Sequence, residues 1–308
     1  MKFLVGDVGG TNTRLALADA SGLRLDTLIR ARNDDHDSML TVVDAYKQAV
    51  DCSDVSAVCI ALAGVIHDGI GSMTNRDWRI SALDIGQSVG APRAVLINDL
   101  SALGHALPDL TTMPVCKVES PATNGQSLVV GMGTGFNVSL AKKTHDGGTV
   151  VIEAEVGHAE LPASIKSMLE VELGWSAGRF RTIEDAFCGS GLERLFHATT
   201  GQTLSGEKIM AAFTDGRDTG AIRTVNLFAR GLGLLARGLI CQYLPRDGLV
   251  FAGSASRGIL DSTALSAFSD AFLAPGMDVV LPNSIPVSLI TEDAAALFGC
   301  AHMLNATS

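Results

Sequence analysis

None of the six cysteines in this 308-residue chain lies at C-x-C or C-x-x-C spacing from another. That lack of close pairs argues against a zinc module and against a disulfide framework. Cys52, Cys59, Cys116, Cys188, Cys241 and Cys300 are expected to be small buried hydrophobes in a reducing compartment. Positive charge is also short. The formal net charge of -10 would repel the phosphates of DNA or RNA. A small phosphate ligand remains possible, because local backbone amides and a cation can hold it whatever the net charge. The longest apolar stretch, Val55 to Ile66, is shorter than the roughly 20 residues a membrane-spanning helix needs. It reads as a buried strand entering a loop. Asp7 ends the apolar start too soon for a signal peptide, so a cytoplasmic chain is expected. No low-complexity linker divides the sequence. The segment Pro108 to Gly125, with Pro114 and Pro121 inside it, is the best crossing between halves.

A composition of 47% hydrophobic and 18% charged residues supplies a sizeable core. Two parts of the chain echo each other. Phe3 to Gly6 is an apolar strand, Asp7-Val8-Gly9-Gly10-Thr11 a glycine turn, and Arg14 to Ala18 a second strand. In mid-chain, Ser127 to Gly131, the turn Met132-Gly133-Thr134-Gly135-Phe136-Asn137, and Val138 to Ala141 repeat that order. A strand, not a helix, follows each turn, so these are hairpins and not Rossmann units. The echo predicts two related halves. Ala57 to Leu62 and Ala94 to Ile97 are apolar without alternation, as in central parallel strands covered on both faces. Ser190-x-x-Glu193 has capping-box spacing before a stripe of Leu192, Leu195 and Phe196, and Gly201 ends that helix. Val225 to Tyr243 keeps helical apolar spacing until Pro245, and Leu249 to Ala252 is a further strand. Thr291 is placed to cap a last helix whose inner face is Leu297, Phe298, Ala301 and Leu304.

The chemistry-bearing residues follow from these turns and strand ends. Successive amides in Gly6 to Thr11 can cradle phosphate oxygens, and Asp7 would repel them unless Mg²⁺ stood between. The plain alternative is a tight turn with a solvated Asp. Gly133-Thr134-Gly135 offers the same cradle without the acid, and Gly253-Ser254 a small-residue turn against which a flat base could lie. Asp99, just past the strand ending at Ile97-Asn98, can take a proton from an attacking hydroxyl, and Asn98 can hold a sugar hydroxyl. The plain alternative is an N-cap for a helix starting near Ser101. Glu155-Val156-Gly157-His158 can bind vicinal hydroxyls or be a surface loop. Glu184, read alone, looks solvated.

Taken in order, these segments resemble the bacterial glucokinases of the hexokinase, Hsp70 and actin superfamily, along nearly the whole chain. Gly6-Asp7-Val8-Gly9-Gly10-Thr11-Asn12 with Arg14 is similar to the family's first phosphate motif, and Gly131 to Gly135 to the second. Met73-Thr74-Asn75 with Trp78, and then Ile97-Asn98-Asp99, resemble the approach to the catalytic strand and the strand itself. Glu155-x-Gly157-His158 looks like the sugar loop, Glu184 with Gly189-x-Gly191-Leu192 like the last sugar contact and its turn, and Ala252-Gly253 like the adenosine motif.

The resemblance implies an α/β, two-domain actin-like ATPase (ribonuclease H-like) fold with an interdomain cleft. Residues 1–108 plus 289–308 would form the smaller domain and 109–288 the larger. It implies a glucokinase that transfers phosphate from ATP to the 6-hydroxyl of D-glucose at the entry to glycolysis. Asp99 would be the base. Asn75, Asn98, Asp99, Glu155, His158 and Glu184 would hold the sugar. Gly6, Asp7, Val8, Gly9, Gly10, Thr11, Gly133, Thr134, Gly135 and Gly253 would hold ATP, with Asp7 on Mg²⁺ through water. The partners are then glucose and ATP, without nucleic acid or membrane, and a homodimer by family analogy. Asn137, Val156, and Ser254 with Ala255 depart from the family's usual glycines and Gly-Ile. A kinase for another hexose or an N-acetylated amino sugar, and a non-catalytic sugar sensor, are the alternatives.

Overall fold

The structure, a computed structural model, describes all residues except 74, 75, 117, 119–121, 277–279, 307 and 308. It divides into two units. One comprises Met1–Leu110, His145–Val151 and Glu292–Ser308, the other Thr111–Thr144 and Ile152–Thr291.

The first unit is built on β1 (Lys2–Val8), β2 (Asn12–Asp19), β3 (Gly22–Arg32), β4 (Val55–Leu62) and β8 (Arg93–Asn98), in the order β3-β2-β1-β4-β8. β1 pairs antiparallel with β2 and parallel with β4, and β4 pairs parallel with β8. Side chains alternate across the sheet with the strand period of two. Leu4, Val8, Leu15, Leu17, Ile60 and Leu62 face one way, against the helices Met39–Ala49 and Ala82–Val89. Phe3, Val5, Ala16, Ala18, Cys59 and Ala61 face the other way, against the helices Asp99–Ala106 and Ala295–Ala306. The many alanines on that face let the last helix sit close. A Cβ on Gly299 would overlap the carbonyl of Ala102. Leu297 and Leu304 are fully buried there, each stabilising by about 1.5–3 kcal/mol. This contact pins the helix that begins at Asp99.

Beyond β4 the chain does not enter a loop. It continues into β5 (Gly64–His67), β6 (Ile70–Met73) and β7 (Arg76–Ser81), a separate antiparallel sheet. Positive φ at Asp68 and Gly69 turns the first hairpin of that sheet.

The second unit repeats the plan. Its sheet is made of β9 (Met113–Cys116), β10 (Gln126–Met132), β11 (Phe136–Lys143), β12 (Thr149–Glu153, which straddles the division at Val151), β13 (Gly248–Ala252) and β14 (Val287–Leu289), ordered β12-β11-β10-β13-β14-β9. β10 pairs antiparallel with β11 and parallel with β13, and β13 parallel with β14. The first five strands of that order match the first unit's sheet, so the echo in sequence is an echo in topology. β9 is the addition. It carries Pro114 at the sheet's edge, where a missing N–H is tolerated. The 25-residue helix Thr219–Tyr243 is apolar and long enough to cross a membrane, but two-thirds of its most apolar window (67%) is buried in the core.

Several local expectations change. The turn read as Asp7 to Thr11 is shorter, because β1 runs through Val8. The helix after β8 begins at Asp99, not near Ser101. Cys188, not Ser190, caps the helix Gly189–Thr200, its sulfur accepting from Gly191 N, while Glu193 accepts from Gly206 N. The last helix begins at Ala295, and it is Glu292, not Thr291, that accepts from Ala294 N just before it. Cys241 is exposed, and Cys52 and Cys116 are half-buried, so only three cysteines are buried hydrophobes.

Candidate active site

In the first unit, β1, β4 and β8 run parallel, so the turn after β1 and the residues after β8 lie at the same, carboxyl end of one sheet. Ligands of open α/β sheets gather at such ends. Gly9 N–H donates to the Asn12 carbonyl at 3.0 Å and closes the turn. Asn33, completely buried, donates its side-chain amide to the carbonyls of Gly9 (2.8 Å) and Gly10 (3.3 Å). The N–H groups of Gly10 and Thr11 donate to no acceptor among the described residues. Gly6 and Val8 belong to the strand, not the turn. A Cβ on Gly6 would come within 2.6 Å of Ile60 and 2.8 Å of Leu15, and Val8 is buried in the core. Close packing therefore explains glycine at position 6.

Asp7 is opposite Arg14 across the β1–β2 ladder, and Arg14 Nη1 meets its Oδ2 at 3.0 Å. Its side chain is only 16% exposed. Burial pushes its pKa above the usual carboxylate value, and the Arg14 guanidinium pulls the other way without cancelling that push. A desolvated hard oxygen donor of this kind suits a divalent cation. Among the described residues no three His, Cys, Asp or Glu side chains cluster as a metal cage. One carboxylate such as Asp7 is enough for Mg²⁺, which keeps several waters and takes one or two carboxylates plus substrate phosphates.

Asn98 ends β8 and Asp99 opens the following helix. Leu100 N–H donates to the Oδ1 of both, at 2.9 Å each. Asn98 is therefore a true N-cap, the plain alternative in the sequence, and its side-chain NH₂ is the part left for a ligand. Both residues are half-buried. Asn75 lies outside the described residues, next to Arg76, whose guanidinium stacks 5.1 Å from the Trp78 ring.

In the second unit the turn Gly133–Gly135 is closed by Gly133 N–H donating to Gly135 O at 3.0 Å. Gly189, the first residue of its helix, donates to the Gly133 carbonyl at 2.8 Å. Thr134 and Gly135 N–H find no acceptor among the described residues. Gly253, at φ 98°, comes so close that a Cβ would overlap the Met132 carbonyl and lie 3.3 Å from Gly133 N. Glu184 is half-buried, not solvated. Its Oε2 accepts from Phe136 N at 2.8 Å, and a Cβ on Gly135 would come within 2.6 Å of that oxygen.

Glu155 and His158 are exposed at the two ends of a short 3-10 turn, Val156–His158. A Cβ on Gly157 would overlap the Phe136 carbonyl, so glycine is required by close approach. Asn137 organises this loop. Its Nδ2 donates to Glu155 Oε2 at 2.9 Å, and its Oδ1 accepts from Val156 N at 3.0 Å. The second unit thus gathers Gly133–Gly135, Glu184, Gly253 and, through Asn137, Glu155. Sequence reasoning missed Asn33 and noted Asn137 only as a departure. Asn33 stands in a run of polar residues with no local mark of its partners 23 and 24 residues away.

A doubled sheet whose halves each open with an amide-bearing hairpin turn defines the class: this is an actin-like ATPase fold. Residues 4–307 match the family model described as Glucokinase, and the chain belongs to that family. The glucokinase of Marinobacter nauticus is 29% identical over 98% of this chain and 97% of that protein. That of Erwinia tasmaniensis is 30% identical over 99% and 97%. The crystal structure of a glucokinase from an Antarctic psychrotroph superposes with a TM-score of 0.85 at 26% identity, covering 99% of both chains.

Proposed function

We propose that the protein is a glucokinase that transfers the γ-phosphoryl group of ATP to the 6-hydroxyl of D-glucose in the cytoplasm, yielding glucose 6-phosphate and ADP. The observation that carries this reading is the pair of hairpin turns, each offering two backbone N–H groups that meet no acceptor among the described residues, in a chain of the glucokinase family. Phosphate oxygens are the natural acceptors for such amides. Gly9 to Thr11 and Gly133 to Gly135 hold the polyphosphate, and Gly253 lies against the adenosine. Asn75, Asn98, Glu155, His158 and Glu184 hold and orient sugar hydroxyls.

Asp99 accepts the proton of the 6-hydroxyl as its oxygen forms a bond to the γ-phosphorus and the bond from that phosphorus to the bridging oxygen breaks, leaving on ADP. Asp7 would hold Mg²⁺ through water, and the ion would neutralise charge on the phosphate oxygens. Positioning contributes most, since phosphoryl transfer needs little covalent help from the protein.

The test is ADP release from Mg-ATP across a panel of hexoses, with Asp99→Asn beside the wild type. A glucose-dependent rate that falls about 10²–10⁴-fold in the variant, with glucose binding kept, is expected. Near-normal turnover by Asp99→Asn would remove the base from this account. A stronger response to mannose or N-acetylglucosamine would keep the mechanism and change the substrate, and silence with every sugar would point to a sensor.

A further inference from the structure

We propose that Asn33 is the positioning residue of the first phosphate turn: by gripping the carbonyls of Gly9 and Gly10, its side-chain amide aims the N–H groups of Gly10 and Thr11 at the nucleotide's phosphate oxygens. The inference rests on the reading of that turn as a phosphate site.

The argument is one of peptide geometry. In a planar trans peptide the N–H points opposite to the C=O of the preceding residue. Asn33 Nδ2 draws the Gly9 and Gly10 carbonyls to one side, at 2.8 and 3.3 Å. The Gly10 and Thr11 amides must then face the other side, where they meet no acceptor among the described residues. Asn33 is itself locked. Thr13, also fully buried, donates its hydroxyl to Asn33 Oδ1 at 2.8 Å, which fixes which end of the amide faces the turn. Its backbone N–H donates to Thr11 O at 2.9 Å, and its carbonyl accepts from Arg76 Nη1 at 3.3 Å. Every polar atom of this buried residue is engaged, and two of its bonds bear only on the orientation of glycine peptides. Burying an amide without partners costs several kcal/mol, so a residue kept here satisfies the turn as much as the turn satisfies it.

The experiment measures Mg-ADP affinity by calorimetry, with KM for ATP and for glucose, in the full chain and three variants. Asn33→Asp keeps the acceptor for Thr13 but sets a carboxylate against two carbonyls. Asn33→Leu removes the grip without adding charge. Both should weaken Mg-ADP binding by about tenfold or more and raise KM for ATP in step, leaving KM for glucose unchanged. For Asn33→Asp alone, acidification should restore part of the affinity relative to wild type at the same pH, because a protonated carboxyl can again donate to a carbonyl. Thr13→Val removes the bond that fixes the sense of the amide but still permits both Nδ2 bonds, so it should lower the melting temperature and weaken Mg-ADP binding less than either Asn33 variant does. Wild-type affinity in Asn33→Leu would overturn the inference and leave any loss in Asn33→Asp to charge alone. A parallel rise of both KM values would overturn it as general damage. A wild-type chain that binds no Mg-ADP would overturn the phosphate reading of the turn and the inference with it.

Discussion

The two hairpin turns present the same chemistry by different means. At Gly133–Gly135 the carbonyl that must be turned away is held by a backbone donor, Gly189 N, at the head of a helix. At Gly9–Thr11 the corresponding carbonyls are held by the side chain of Asn33. A main-chain clamp survives any side-chain substitution that spares the backbone. It needs segments close enough to touch, so the second turn is crowded: Gly135, Gly157 and Gly253 each lack room for a Cβ. A side-chain clamp works from a distance and leaves space, and a Cβ on Gly9 would meet only Asn12 O at 3.4 Å. The first turn should therefore be fragile at one buried amide and the second at Gly135 and at Gly157 and Gly253, which pack beside it.

That contrast can be broken or sharpened by substitution. The largest effect is expected for Gly253→Ala. Its φ of 98° and ψ of 164° are a conformation nearly reserved for glycine, costing another residue about 1–3 kcal/mol, and the new Cβ would also overlap the Met132 carbonyl. Thermal unfolding should show a fall of several degrees together with weaker nucleotide binding, and a melting curve like that of wild type would refute the crowding. Next comes a matched pair. Gly135→Ala should displace Glu184, forfeit its bond to Phe136 N and cost about 1 kcal/mol. Gly9→Ala should stay within about 0.5 kcal/mol of wild type. Denaturant titrations that reverse this order would sink the comparison.

The smallest effect is a slope with pH. Burial raises the Asp7 pKa above 3.8, so the folded chain keeps that proton where the unfolded chain has released it. Stability from this group then falls as pH rises from 3.8 through the raised value. Asp7→Asn removes the contribution, and its melting temperature relative to wild type should improve as pH climbs through that window. A difference that does not vary with pH would show that burial does not strain the carboxylate.

Much of this was legible in the chain. Both hairpins, the parallel strands Val55–Leu62 and Arg93–Asn98, and the helix ending before Pro245 follow from apolar patterning and from glycine and proline as punctuation. Helix starts were read less well. Ser190 and Thr291 had the right residue type for a cap, yet Cys188 caps one helix and the other starts at Ala295. Capping depends on which side chain the backbone happens to bring within reach, and several residue types can serve. Glu184 read as solvated because its partner, Phe136 N, is 48 residues away.

By itself the sequence determined the repeated plan, because strand periodicity and the glycine turns are local properties that survive without knowledge of any partner. It also determined the chemical inventory: which carboxylates, amides and glycines stand at strand ends. Tertiary structure alone decided how those groups are aimed. That Asn33 grips the first turn, that Asn137 holds Glu155, and that Gly253 must be glycine are consequences of contacts between segments far apart in the chain. Hydrogen bonds and close packing act over a few ångströms, and only folding brings these groups within that range.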